Sequence, residues 1–125
     1  MGAFLRPLHI LFIGEGLVLA GAIEIARSRG HEIAGVFSTV ATEAAAMARS
    51  SFPVFGPKGS VADFAASHDS DVIFSIANGR ILDAATLARP RVAAINYHNG
   101  PLPAYAGRWA TAWAILNGEA HKGVS

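Results

Sequence analysis

The chain has 125 residues, 52% of them apolar and 15% charged, the size and composition of one globular domain rather than of a disordered segment. Ten Lys and Arg stand against nine Asp and Glu, a net charge of +1 without a basic block, which argues against a dedicated nucleic-acid binder. The absence of cysteine excludes disulfides, thiolate nucleophiles and thiolate metal sites and fits a cytoplasmic protein.

Residues 8–13 (LHILFI) are aliphatic and aromatic and stop at Gly14-Glu15-Gly16, as a buried strand feeding a turn does. His9, Gly14 and Glu15 interrupt this run, so no cleaved leader is expected; residues 17–23 are too few to span a bilayer. Across residues 17–29, Leu17, Ala20, Gly21, Ile23, Glu24 and Arg27 fit a helix with one apolar face, closed by Gly30. Residues 33–37 read as a second strand, 42–49 as a short helix, 53–55 as a third strand and 56–59 as a turn. Ser60 caps a helix to about residue 67, and 71–76 (DVIFSI) form a fourth strand. Residues 82–89 form a helix that stops before Pro90, 92–97 (VAAINY) a fifth strand, and 108–117 a helix ended by Gly118. Trp109 and Trp113, four apart on that last helix, are expected to pack in the core.

Strands alternating with helices of this length predict parallel pairing in a three-layer α/β domain. Ligands of such sheets sit outside the carboxyl ends of the strands, which here points to the loops at 14–16, 77–82 and 98–107. Gly14-Glu15-Gly16 resembles part of a dinucleotide fingerprint, but Leu19 stands where a third glycine belongs and no acid ends the second strand. These glycines therefore either make a tight turn or offer backbone N–H groups to a substrate anion. Asn96 and His98, two apart at the end of an extended run, emerge on one face, where an amide and an imidazole could bind an oxyanion and move a proton. The alternative use of the pair is to satisfy backbone groups of the following Pro/Gly-rich loop. His9, His31, His68 and His121 lack zinc-ligand spacing, and no G-x-S-x-G marks a nucleophile elbow. No carboxylate lies between Asp83 and Glu119, so an acid that orients His98 is expected from far along the chain or beyond Ser125.

Taken together, Asn96-x-His98, Leu102-Pro103-x-Tyr105-x-Gly107, residues 113–119 (WAILNGE) and Gly123-Val124-Ser125 resemble the N-terminal catalytic domain of the formyltransferase family. The resemblance implies a Rossmann-like domain with a mostly parallel sheet, occupying residues 1–125 and incomplete on its C-terminal side. It implies transfer of a formyl group from 10-formyltetrahydrofolate to a primary amine, with no metal and no membrane. Asn96 would bind the formyl oxygen and the developing oxyanion, assisted by His98, and Gly79, Arg80, Ile81 and Leu82, with Leu87 behind them, would line the pteridine pocket. Gly14, Gly16 and Gly107 are assigned to the acceptor side, and the family's catalytic Asp is expected after the strand that begins at Gly123. Gly100 and Pro101 replace a Ser-Leu pair of the family, and Ala106 replaces a common Arg. Those changes look most like formylation domains of larger synthetases, and the acceptor would be a sugar nucleotide, an aminoacyl group or a carrier-bound amino acid. The competing reading is a non-catalytic nucleotide-binding or regulatory domain built on Gly14 to Gly16.

Overall fold

Residues 6–98, 102, 104, 107, 110–121 and 123–125 are described by a computed structural model. The first strand, β1 (His9–Gly14), is a run of large apolar residues and lies at the centre of the sheet. It is followed by α1 (Gly16–Ser28), β2 (Glu32–Ser38), α2 (Ala41–Met47) and β3 (Val54–Phe55). Then come α3 (Val61–Ser67), β4 (Val72–Ile76), α4 (Ala84–Leu87), β5 (Ala93–Tyr97) and α5 (Ala110–Leu116). Among the described residues the strands form one sheet in the order β3-β2-β1-β4-β5, every pairing parallel. The chain fills one side of β1, then crosses back to add β4 and β5 on the other. The strand order reverses between β1 and β4, and the carboxyl ends of the strands are the usual ligand side of open α/β sheets. No helix among the described residues is long and apolar enough to cross a membrane.

Alternation of side chains divides the interior into two layers. Ile10, Phe12, Val36, Val72 and Ile76 face α1, meeting Leu19, Ile23 and Ala26. Leu11, Ile13, Phe37 and Ile73 face α3, meeting Phe64 and Ala65. The α1 stripe is thus 19, 23 and 26, and Leu17, expected on the apolar face, is 90% exposed. Its place one residue after the Gly16 turn starts the helix with that side chain turned from the sheet. Gly30 ends α1 as expected, at φ +84: its N–H donates to Arg27 O and that of His31 to Ala26 O, both at 3.0 Å. These two bonds make a Schellman motif.

Two further expectations shift. The helix predicted over 82–89 shortens to the four residues of α4 because Asp83, extended, caps it by accepting from Thr86 N at 2.7 Å. Hydrogen bonds from Thr86 hold the Asp83 carboxyl below the usual carboxylate range. Trp113 is 56% exposed rather than in the core, since α5 turns Ala114, about 100° away around the helix, inward instead. Trp109 lies outside the described residues.

At the opposite, amino-terminal edge of the sheet Asp71 is fully buried. Arg6 grips its carboxylate with two bonds of 2.8 and 3.0 Å, and His9 N donates to it at 2.8 Å. These contacts hold the Asp71 carboxyl well below the usual carboxylate range, the Arg6 hydrogen bond being the largest cause. The group ties the starts of β1 and β4 together, far from the carboxyl ends of the strands.

Candidate functional site

A pocket of about 290 Å³ opens beside the carboxyl ends of β4 and β5, on the α3 face of the sheet. Ile73 and Ser75 of β4 and Ala94 and Asn96 of β5 form its floor. The register explains this, because Ile73 pairs with Ala94 and Ser75 with Asn96, and residues in register share a face. Asn78, Arg80, Leu82 and Leu87 close the remaining sides. The walls are mostly apolar, with amides at two corners, a lining that suits a flat heterocycle with polar edges. The structure thus brings Arg80, Leu82, Leu87 and Asn96 together. Ile81, assigned to the same strip, is 99% exposed and borders a second groove of about 300 Å³ with Ser60, Val61, Asp83 and Thr86.

The loop between β4 and α4 has a defined shape. Ala77 sits at φ +50, a conformation that costs an alanine roughly 1 kcal/mol and must be held by its surroundings. Asn78 supplies that hold: its Oδ1 accepts from Arg80 N at 2.9 Å, while its Nδ2 faces Arg80 O at 3.0 Å and Ser75 Oγ at 3.2 Å. The Arg80 guanidinium turns away, donating to the Pro57 and Gly59 carbonyls and stacking 4.9 Å over the Phe37 ring.

His98 follows β5 directly and is half-buried. Its backbone exchanges two hydrogen bonds with Ser125, whose N–H donates to His98 O at 2.8 Å, and Ser125 Oγ accepts from Leu102 N at 3.0 Å. Ser125, distant in sequence, is thereby carried to the side of the His98 backbone. Gly107 has φ +105. Residues 99–101, 103, 105, 106 and 108, which complete the motif read from the sequence, lie outside the described residues.

The Gly14 to Gly16 turn approaches β4 so closely that a Cβ on Gly14, at φ +154, would overlap the Ile76 carbonyl oxygen. Gly16 N, at the start of α1, donates to the Glu43 carboxylate at 3.0 and 3.1 Å. Glu15 accepts from Thr39 Oγ1 at 3.0 Å. This loop therefore presents two carboxylates of the chain itself, one already satisfying the first N–H of the helix. Sequence reasoning missed Asn78, Thr39 and Glu43. A clue existed for Asn78, since Asn-Gly before Arg80 is a turn signal whose side chain can bond the backbone two residues on.

With this geometry in hand, comparison with known proteins is informative. The family described as formyl transferase matches residues 8–125. The methionyl-tRNA formyltransferase of Rhodopseudomonas palustris (strain BisB5) is 32% identical over 137 aligned positions, covering 94% of this chain and 43% of that protein. That of Sorangium cellulosum (strain So ce56) is 42% identical over 64 positions, covering 51% of the chain and 21% of the relative. Among solved structures, a phosphoribosylglycinamide formyltransferase from Coxiella burnetii matches with a TM-score of 0.71 at 26% identity, covering 96% of this chain and 64% of that one. A formyltetrahydrofolate deformylase from Pseudomonas syringae pv. tomato str. DC3000 shares the fold, with a TM-score of 0.79 at 20% identity, covering 96% and 45%. The chain spans less than half the length of the curated relatives it matches.

Proposed function

Because the chain belongs to the formyl transferase family, we propose that its pocket receives the pteridine end of 10-formyltetrahydrofolate and that the chain serves transfer of that formyl group to a primary amine. The observation that carries this reading is that Asn96 shares one pocket with Leu82 and Leu87. The residue types expected to bind the oxyanion and to enclose the heterocycle thus meet in space. The pocket, about 290 Å³, fits the bicyclic head of a folate, with the remainder of the donor extending into solvent. Of the strip at 79–82, Leu82 meets the ring, and Gly14, Gly16 and Gly107 are assigned to the acceptor side.

In the reaction the amine nitrogen bonds to the formyl carbon and the carbonyl electron pair moves onto oxygen. Asn96 donates its amide N–H to that oxyanion, a contact that strengthens as charge develops. His98 carries the proton released by the amine toward the folate nitrogen, which leaves with the electrons of the broken carbon–nitrogen bond. The products are a formamide and tetrahydrofolate, so atoms and charge balance without a metal or redox partner. Two bound substrates held in contact supply much of the acceleration.

A nucleotide-binding role for the Gly14 to Gly16 loop is opposed by the carboxylates of Glu15 and Glu43, which would face a pyrophosphate. Thermal denaturation with ligands separates the two readings. A folate at a hundred times its Kd should stabilise the chain by about 2.7 kcal/mol, with NAD and NADP inactive. Stabilisation by the nucleotides and not by folates would reject the folate pocket.

A further inference from the structure

We infer that Asn78 is a positioning residue, whose carboxamide holds the loop at 77–82 in the shape that the formyl donor reads; this rests on the function proposed above. Three of the four hydrogen-bonding positions of its side chain are used within the loop and its support: Oδ1 takes the Arg80 N–H, and Nδ2 serves both Arg80 O and Ser75 Oγ. Both backbone groups of Arg80 are thereby engaged by one side chain.

The anchor matters as much as the turn. Ser75 is 5% exposed, lies in β4 and is the cross-strand partner of Asn96. Asn78 therefore sets the loop against the strand pair that carries the oxyanion donor. A simple Asx turn requires the bond from Arg80 N alone; the two donor bonds attach that turn to the sheet. The left-handed Ala77 just before it would otherwise relax. On the outer side the Arg80 guanidinium is committed to the Pro57 and Gly59 carbonyls and the Phe37 ring. The part of Arg80 is accordingly to brace the loop from behind, leaving Leu82 and Leu87 to enclose the ring.

Asn78→Asp tests this with a change of few atoms. The carboxylate still accepts from Arg80 N but cannot donate, and it sets a negative charge against Arg80 O. Calorimetric titration of the 125-residue chain with 5-formyltetrahydrofolate should show affinity about tenfold weaker than wild type near neutral pH. The ratio should close as pH falls and the protonated carboxyl donates to Arg80 O. Asn78→Ala should lose affinity without that recovery, and amide exchange at Arg80 should quicken in Asn78→Ala, which lacks the acceptor, and not in Asn78→Asp, with the melting temperature little changed. Ser75→Ala, which deletes one anchor, should weaken binding by a smaller factor and serves if Asn78→Ala does not fold. Wild-type binding that the Asn78→Asp and Ser75→Ala variants keep, at every pH, overturns the assignment of Asn78 and leaves the folate pocket standing. Absence of folate binding by the folded wild-type chain overturns the pocket and this inference together.

Discussion

Asn96 presents its amide at the edge of the sheet, in register with a serine, where no charged neighbour is needed to aim it. If it stabilises the oxyanion, Asn96→Ala in an extended chain that carries the Asp expected after the strand at Gly123 should lower formyl transfer by about a hundredfold to a thousandfold, with melting temperature unchanged because the residue is exposed. Release of tetrahydrofolate from 10-formyltetrahydrofolate is the measurement, and a rate within a few-fold of wild type would remove Asn96 from the reaction. Asp71 gives the contrasting case of a residue whose charge serves the fold. Its folded-state carboxyl titrates below the unfolded value of about 4, so its stabilisation is complete above that value and is lost as pH falls toward the folded value. Thermal melts should show stability falling below about pH 4, and Asp71→Asn should melt several degrees lower at neutral pH with a flatter acid profile. At this scale the motifs single out Asn96 and Leu82, which line one pocket. Asp71, Glu43 and Thr39 stay silent because their partners, Arg6, Gly16 and Glu15, are 24 to 65 positions away and meet them only on folding.

Element boundaries follow where local chemistry decides them. The Schellman ending at Gly30 and the Ser60 cap, which accepts from Asp63 N at 3.2 Å, are both legible in the sequence. The α1 stripe and α4 are not, since one depends on how the helix meets the sheet and the other on the competition of Asp83 for the first turn. The β1 to α1 turn makes the sharpest local demand. Gly14→Ala would force a methyl group into the Ile76 carbonyl and an alanine into an extended conformation at positive φ. We expect a loss of about 2 to 4 kcal/mol in urea unfolding at pH 7. A variant as stable as wild type would show that the strands need not approach so closely.

Across the whole molecule, the alternation of apolar runs with short helices is sufficient to predict a parallel three-layer domain. Strand order was not legible, because the placement of β4 beside β1 rather than beside β3 depends on the packing of both faces together. The pairing of β5 with β4 then brings residues 78–87 against residues 94–96. Two segments that are separate in sequence thereby enclose one volume, and the functional proposal stands on that juxtaposition. The most direct test is an NMR titration of the isotopically labelled 125-residue chain with 5-formyltetrahydrofolate. The account predicts saturable shifts of the Arg80, Leu82, Leu87 and Asn96 signals, with Arg6 and Asp71 at the far edge of the sheet unmoved. A folded chain whose pocket signals stay still at saturating folate, or whose shifts gather instead around Gly14 and Gly16, would contradict it.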